Sequence, residues 1–141
     1  MAYLFDTDAI SEVLKPRPPA AYVRWLAAIP RDEQYTSAVV VGELFKGAFR
    51  SSTPARHLEN VEMRVLPAVT VLPYDTAAAR VYGQVRAQLE SEDRPLADVD
   101  LQIAATALLH DLELVTGNVG HFKRVPGLWI SPVLAEARTR P

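Results

Sequence analysis

Cysteine is absent from this 141-residue chain, which excludes a disulfide framework and any thiolate-bound metal centre. No apolar run approaches the roughly 20 residues that a membrane-spanning helix needs. No basic segment followed by an apolar one opens the chain as a secretory leader does. Glycine is scarce, at six residues, and none builds a phosphate-cradling loop or a nucleophile elbow around a serine. Neither sign of charge dominates: 15 Lys and Arg stand against 17 Asp and Glu, a formal net charge of −2. No global positive field therefore draws in nucleic acid, and such a substrate would need local cations or bridging metal ions. His57, His110 and His121 are isolated, lack metal-ligand spacing and read as surface residues. The absences point to a cytoplasmic protein with no membrane partner.

What is present is a globular composition, 49% hydrophobic and 23% charged, of a length that suits one core. Tyr3, Leu4 and Phe5 predict a buried strand, and Asp6-Thr7-Asp8 follows at once. An acid at the end of a strand that turns into a helix sits at the carboxyl edge of a sheet, where open α/β sheets bind ligands. Thr7 or Asp8 is the expected cap of that helix, which leaves Asp6 free. The proline-rich stretch 15–19 breaks it, and Ala20–Ile29 predicts a second helix.

A short strand is expected over 33–36, then a helix from Ala38 to Phe49 capped by Ser37. Val39-Val40-Val41 prefers a strand there, but Leu44, Phe45 and Ala48 continue one helical face. Thr53-Pro54 opens a helix running to Pro67, and 69–72 reads as a buried strand. Asp75 caps a helix carrying Val81, Val85 and Leu89, and Asp98 opens another that runs to about His110. Strands over 112–116 and 128–130 flank a loop at 117–120. Strands alternating with helices predict an α/β class protein, a three-layer α/β/α domain with a mostly parallel central sheet. Residues 1–132 form that single domain, and 133–141 reads as a short, polar, frayed C-terminal tail.

Four positions stand apart from ordinary turn and surface chemistry. Asp6 follows an apolar strand. Glu43 interrupts a largely apolar helix, and a partly buried carboxylate needs a cation or hydrogen bonds. Asp98 and Asp100 occupy the first turn of one helix, where acids favour its dipole; Asp98 suffices for that role, leaving Asp100 to face Asp6. Thr116-Gly117-Asn118 follows another strand. Carboxylates crowded at one sheet edge repel unless protons or divalent cations intervene. Oxygen donors without Cys or His favour Mg²⁺ or Mn²⁺. Asp8 reads as structural, and Lys46 and Arg50 as solvated helix charges.

Four segments then resemble the PIN-domain ribonucleases, in particular the VapC-type toxins of type II toxin–antitoxin systems. They are Leu4-Phe5-Asp6-Thr7-Asp8-Ala9-Ile10-Ser11, Gly42-Glu43-Leu44-Phe45-Lys46-Gly47, Asp98-Val99-Asp100-Leu101-Gln102-Ile103-Ala104-Ala105-Thr106-Ala107 and Leu114-Val115-Thr116-Gly117-Asn118-Val119-Gly120-His121-Phe122. The resemblance implies a PIN-like α/β/α fold and a Mg²⁺- or Mn²⁺-dependent endoribonuclease leaving a 5′-phosphate and a 3′-hydroxyl. It implies Asp6, Glu43 and Asp100 as metal ligands, with Asn118 as a fourth catalytic position that is often aspartate in the wider family. Thr7, Asp8, Asp98 and Thr116 fall in supporting positions. It also implies an RNA substrate, a VapB-like antitoxin and a homodimer. Two rivals are a haloacid-dehalogenase-like phosphotransferase, for which Asp6-Thr7-Asp8 would supply nucleophile and acid/base, and a non-catalytic PIN domain that binds RNA or a protein.

Overall fold

Leu4 and Phe5 are neighbours in one strand and point to opposite faces of the sheet, yet both are buried. The same holds for Leu114 and Val115. A sheet whose central strands are buried on both faces must carry helices on both, which is why these strands read as continuous apolar runs. The computed structural model describes residues 1–139. Its strands are β1 (Tyr3–Phe5), β2 (Gln34–Ser37), β3 (Thr70–Leu72), β4 (Glu113–Val115) and β5 (Ile130–Ser131). They form one sheet in the order β3-β2-β1-β4-β5, and every pairing is parallel.

The chain leaves β1 for β2 and β3 on one side and returns to β4 and β5 on the other. Strand order therefore reverses between β1 and β4, and their carboxyl ends flank the switch point where such sheets bind ligands. Helices α1 (Thr7–Val13), α2 (Ala20–Ala27), α3 (Ala38–Arg50) and α4 (Pro54–Asn60) occupy the first half. The second half holds α5 (Thr76–Ser91), α6 (Asp98–Leu109), α7 (Val119–Phe122) and α8 (Val133–Thr139). Ser37 and Asp75 cap α3 and α5 as expected, each accepting from a backbone N–H three residues on. The aromatic rings of Tyr3, Phe5 and Tyr22 gather round Trp25, and the Tyr22 hydroxyl donates to the Ala9 carbonyl at 2.9 Å.

Several expectations are corrected. Asp6, not Thr7 or Asp8, caps α1, because the helix begins directly at Thr7 and the extended Asp6 turns its carboxylate onto the Ala9 N–H. The helix begun at Pro54 is shorter than expected; it widens into a π-type turn over Val61–Val65 and tightens into a 3₁₀ turn over Leu66–Ala68, and Thr53 makes no side-chain cap bond. β3 lies at the sheet edge and is largely exposed, not buried. The loop after β4 contains the short α7. The expected frayed tail is an ordered helix over 133–139: Leu134 is fully buried and Ala137 nearly so, which joins α8 to the core. The remainder of that expectation, 140–141, lies outside the described residues.

Candidate active site

Asp6 sits where β1 gives way to α1, at the switch point. Its backbone N–H donates to the Val115 carbonyl of β4 at 3.2 Å, so the two strand ends are stitched together at this residue. One carboxylate oxygen, Oδ1, caps α1 by accepting the Ala9 N–H at 2.8 Å. The carboxylate is 5% exposed, and burial pushes it up from 3.8 to about 6. Hydrogen bonds from Thr116 and Ala9 oppose that rise, while the charges of Asp8 and Asp100 add to it. An anion buried without a cation among like charges is a costly arrangement, and such arrangements cluster at functional sites.

The cavity in front of Asp6 holds about 240 Å³ and is lined by Asp6, Thr7, Asp8, Glu43, Asp100, Ile103, Asn118 and Phe122. Four chain segments thus deliver Asp6, Glu43, Asp100 and Asn118 to one place. Asp6 arrives from the end of β1, Glu43 from the second turn of α3, Asp100 from the first turn of α6 and Asn118 from the cap position of α7. Thr116, fully buried, accepts the Asn118 N–H at 3.0 Å and so fixes the turn that presents Asn118. The Thr7 hydroxyl is buried with no partner.

Three acids of the cavity are each turned to a resident cation or imidazole. Glu43 Oε2 lies 2.6 Å from Lys46 Nζ, Asp100 Oδ2 lies 2.9 Å from His121 Nε2, and Asp8 accepts both terminal nitrogens of Arg138 at 2.8 Å. With the acids so turned, no group of three His, Asp or Glu side chains among the described residues is assembled as a metal cage. Asp98 does not reach the cavity. It points to α5, accepting from the Tyr82 hydroxyl at 2.6 Å and pairing with Arg86, and so ties α5 to α6.

Two residues of the site correct the sequence's expectations: His121, expected as an isolated surface histidine, and Arg138, expected in a frayed tail. His121 stands three residues beyond Asn118, so one turn of α7 sets it beside Asp100; the spacing was visible, but the partner lies 21 residues away. Arg138 lies on α8, where Leu134 and Ala137 share one helical face; it reaches back 130 residues to Asp8.

A larger groove of about 720 Å³ adjoins the cavity, sharing Thr7 and Glu43 with it. Lys15, Arg56, His57 and Arg64 supply its basic wall. Lys46 is occupied by Glu43, and Arg50 ends α3 in solvent. No helix among the described residues is long and apolar enough to cross a membrane.

A family model described as the PIN domain matches residues 3–128. The protein named Toxin FitB from Neisseria gonorrhoeae is 36% identical over 124 residues, covering 84% of this chain and 89% of that protein. The tRNA(fMet)-specific endonuclease VapC of Shigella flexneri is 36% identical over 128 residues, covering 91% and 95%. The crystal structure of DNA-bound VapBC from Salmonella typhimurium superposes with a TM-score of 0.84 at 32% identity, over 93% of this chain and 97% of that one.

Proposed function

This chain belongs to the PIN-domain family, and on that footing we propose that it is a divalent-metal-dependent endoribonuclease, the toxin of a VapBC-type toxin–antitoxin pair. One observation carries the reading: Asp6, Glu43, Asp100 and Asn118, drawn from four separate segments, line a single cavity at the switch point of the sheet. The family assignment, over nearly the whole chain, displaces the phosphotransferase alternative.

The donor set fits a hard cation. Carboxylates, an amide and the partnerless Thr7 hydroxyl are all oxygen donors, which suits Mg²⁺ or Mn²⁺ rather than zinc. Asp6, Glu43 and Asp100 would hold the ion, with Asn118 at the mouth. When bound, it supplies positive charge to the phosphoryl oxygens and acidifies a water molecule.

The chain's own groups do the rest. Thr116 and the Ala9 N–H hold the Asp6 carboxylate in one orientation. His121 holds Asp100, and Ile103 and Phe122 form the apolar floor that limits water. Water attacks phosphorus, the bond to the 3′ oxygen breaks, and a 5′-phosphate and a 3′-hydroxyl remain. The basic wall of the adjoining groove offers Arg56 and Arg64 to the RNA backbone, while Lys15 is paired with Glu12.

An antitoxin of the VapB type is the proposed partner, because relatives are named as a toxin and solved as a VapBC complex. A basic side chain entering the cavity would neutralise the same acids. A homodimer and a cytoplasmic location complete the proposal.

The test is RNA cleavage by purified protein freed of any antitoxin, with Mg²⁺ or Mn²⁺, followed by sequencing of the new 5′ ends. Cleavage that disappears in Asp6→Asn and Asp100→Asn supports the reading. Metal-independent cleavage, or none at all with either ion, refutes it and favours a PIN domain that only binds.

A further inference from the structure

Arg138 touches both the carboxylate corner of the cavity and the turn opposite it, adding to the hydrogen bond by which Thr116 already meets Asp6. Its guanidinium forks onto Asp8, with Nη1 and Nη2 each 2.8 Å from a carboxylate oxygen. Nε donates to Glu12 Oε1, also at 2.8 Å. Glu12 is nearly buried and lies on α1, one turn beyond Asp8. Two acids of the helix that begins at Asp6 are thus gripped by one planar group from the last helix.

The other side of the grip is Gly117. A β-carbon there would overlap Arg138 Nη1 and Asp8 Oδ2, so the ion pair packs directly on the backbone between Thr116 and Asn118. Arg138 therefore spans the two corners of the site, 6–8 and 116–118, and meets each at contact distance. Bidentate arginine–carboxylate pairs fix orientation as well as charge, and a lysine cannot reproduce the fork.

Resting on the proposed nuclease reading, we propose that Arg138 is a positioning residue of the active site: it holds Asp8 away from the metal-ligand set and sets the separation of Asp6 from Asn118. It touches neither substrate nor metal; it acts through Asp8 and Gly117. Asp8, which lines the cavity, is on this account a strut and not a ligand. The C-terminal helix becomes part of the catalytic apparatus, although it adds no group to the reaction.

The experiment compares Arg138→Gln, Arg138→Lys and Glu12→Gln in the full chain. Each is assayed for kcat and KM on an RNA substrate, for Mn²⁺ affinity by electron paramagnetic resonance in the absence of RNA, and for thermal unfolding. Loss of a group that orients a metal site typically lowers metal affinity or activity about 10- to 100-fold. We expect that loss in Mn²⁺ affinity and kcat for Arg138→Gln, with KM within about twofold. Arg138→Lys should fail to restore either, because it keeps the charge and loses the fork. Glu12→Gln keeps the fork on Asp8 and an oxygen for Nε, so it should lower the melting temperature with a smaller loss of kcat and Mn²⁺ affinity than Arg138→Gln.

A purely structural arginine predicts the opposite pattern, with Arg138→Gln and Glu12→Gln alike in reducing stability and neither changing Mn²⁺ affinity in the folded protein. That result overturns the proposal, as does full rescue by Arg138→Lys. If the parent binds Mn²⁺ but cleaves no RNA, the nuclease reading fails while the affinity comparison still decides the role of Arg138. If the parent binds no Mn²⁺, both fail.

Discussion

Replacing Asp6 by asparagine should stabilise the metal-free protein while abolishing its activity. Asparagine caps a helix about as well as aspartate, so the bond to the Ala9 N–H survives; the change removes the buried charge and, against that gain, the second oxygen available to Thr116. In the folded protein that carboxyl is raised from 3.8 to about 6. At about 1.4 kcal/mol for each tenfold change in acidity, the penalty on the ionised form is about 3 kcal/mol. Because the folded value is raised, the folded state binds more protons than the unfolded state between pH 4 and 6. The penalty is absent below about pH 4, grows through that interval and is complete above about pH 6. Urea unfolding in EDTA should therefore show Asp6→Asn about 1–3 kcal/mol more stable than the parent at pH 7.5, with the gap closing at pH 4. Mn²⁺ should then stabilise the parent by mass action and the variant much less. A variant no more stable than the parent at pH 7.5, or a gap independent of pH, would refute the reasoning.

Three further outcomes follow from the same geometry. His121→Ala frees the Asp100 carboxylate from its 2.9 Å partner and should weaken Mn²⁺ binding about 10-fold or more, read by calorimetric titration with RNA absent. Gly117→Ala drives a methyl group into the Arg138–Asp8 pair and should cost about 1–3 kcal/mol in urea unfolding, the usual range for overpacking, together with a fall in kcat. The Arg138 hydrogen bonds hold Asp8 below the usual carboxylate range, and Lys15 followed by Arg138 does the same for Glu12. Since those folded values are depressed, their stabilisation is whole above about pH 5 and is lost as the pH falls through and below 4. In the Asp6→Asn background, where the opposing contribution of Asp6 is gone, unfolding free energy should drop below pH 5, and adding Arg138→Gln should flatten that drop.

The four acid and amide positions were legible because each sits beside a strong local signal. Asp6 and Asn118 follow apolar strands, Asp100 opens an apolar helix, and Glu43 interrupts one. A parallel sheet gathers strand ends and helix starts at one edge, so local pattern and global position coincide there. The resemblance to PIN domains added the grouping, which no single segment carries alone. The α/β alternation was legible for the same reason, since strands buried on both faces and helices with one apolar stripe have different periods.

What escaped is much of the set of partners that hold those positions in place, several of which act across long separations. Whether Asp6 or Asp8 caps α1 depends on which residue last pairs with β4, a fact recorded by Val115 and not by the residues around Asp6. Asp98, expected in a supporting position beside Asp100, leaves the site, because a helix turns about 200° over two residues and sends Asp98 to Tyr82 and Arg86 while Asp100 faces the cavity. The tail after Pro132 looked frayed because its apolar residues are few. It folds because Leu134 finds the core and Arg138 finds Asp8 and Glu12. Charged residues at a chain end are ordinarily solvated, and exposed pairs contribute little. Here one carboxylate partner, Glu12, is nearly buried and the other lies against a glycine that admits no side chain. Those two facts turn a surface arginine into the brace between the corners of the site.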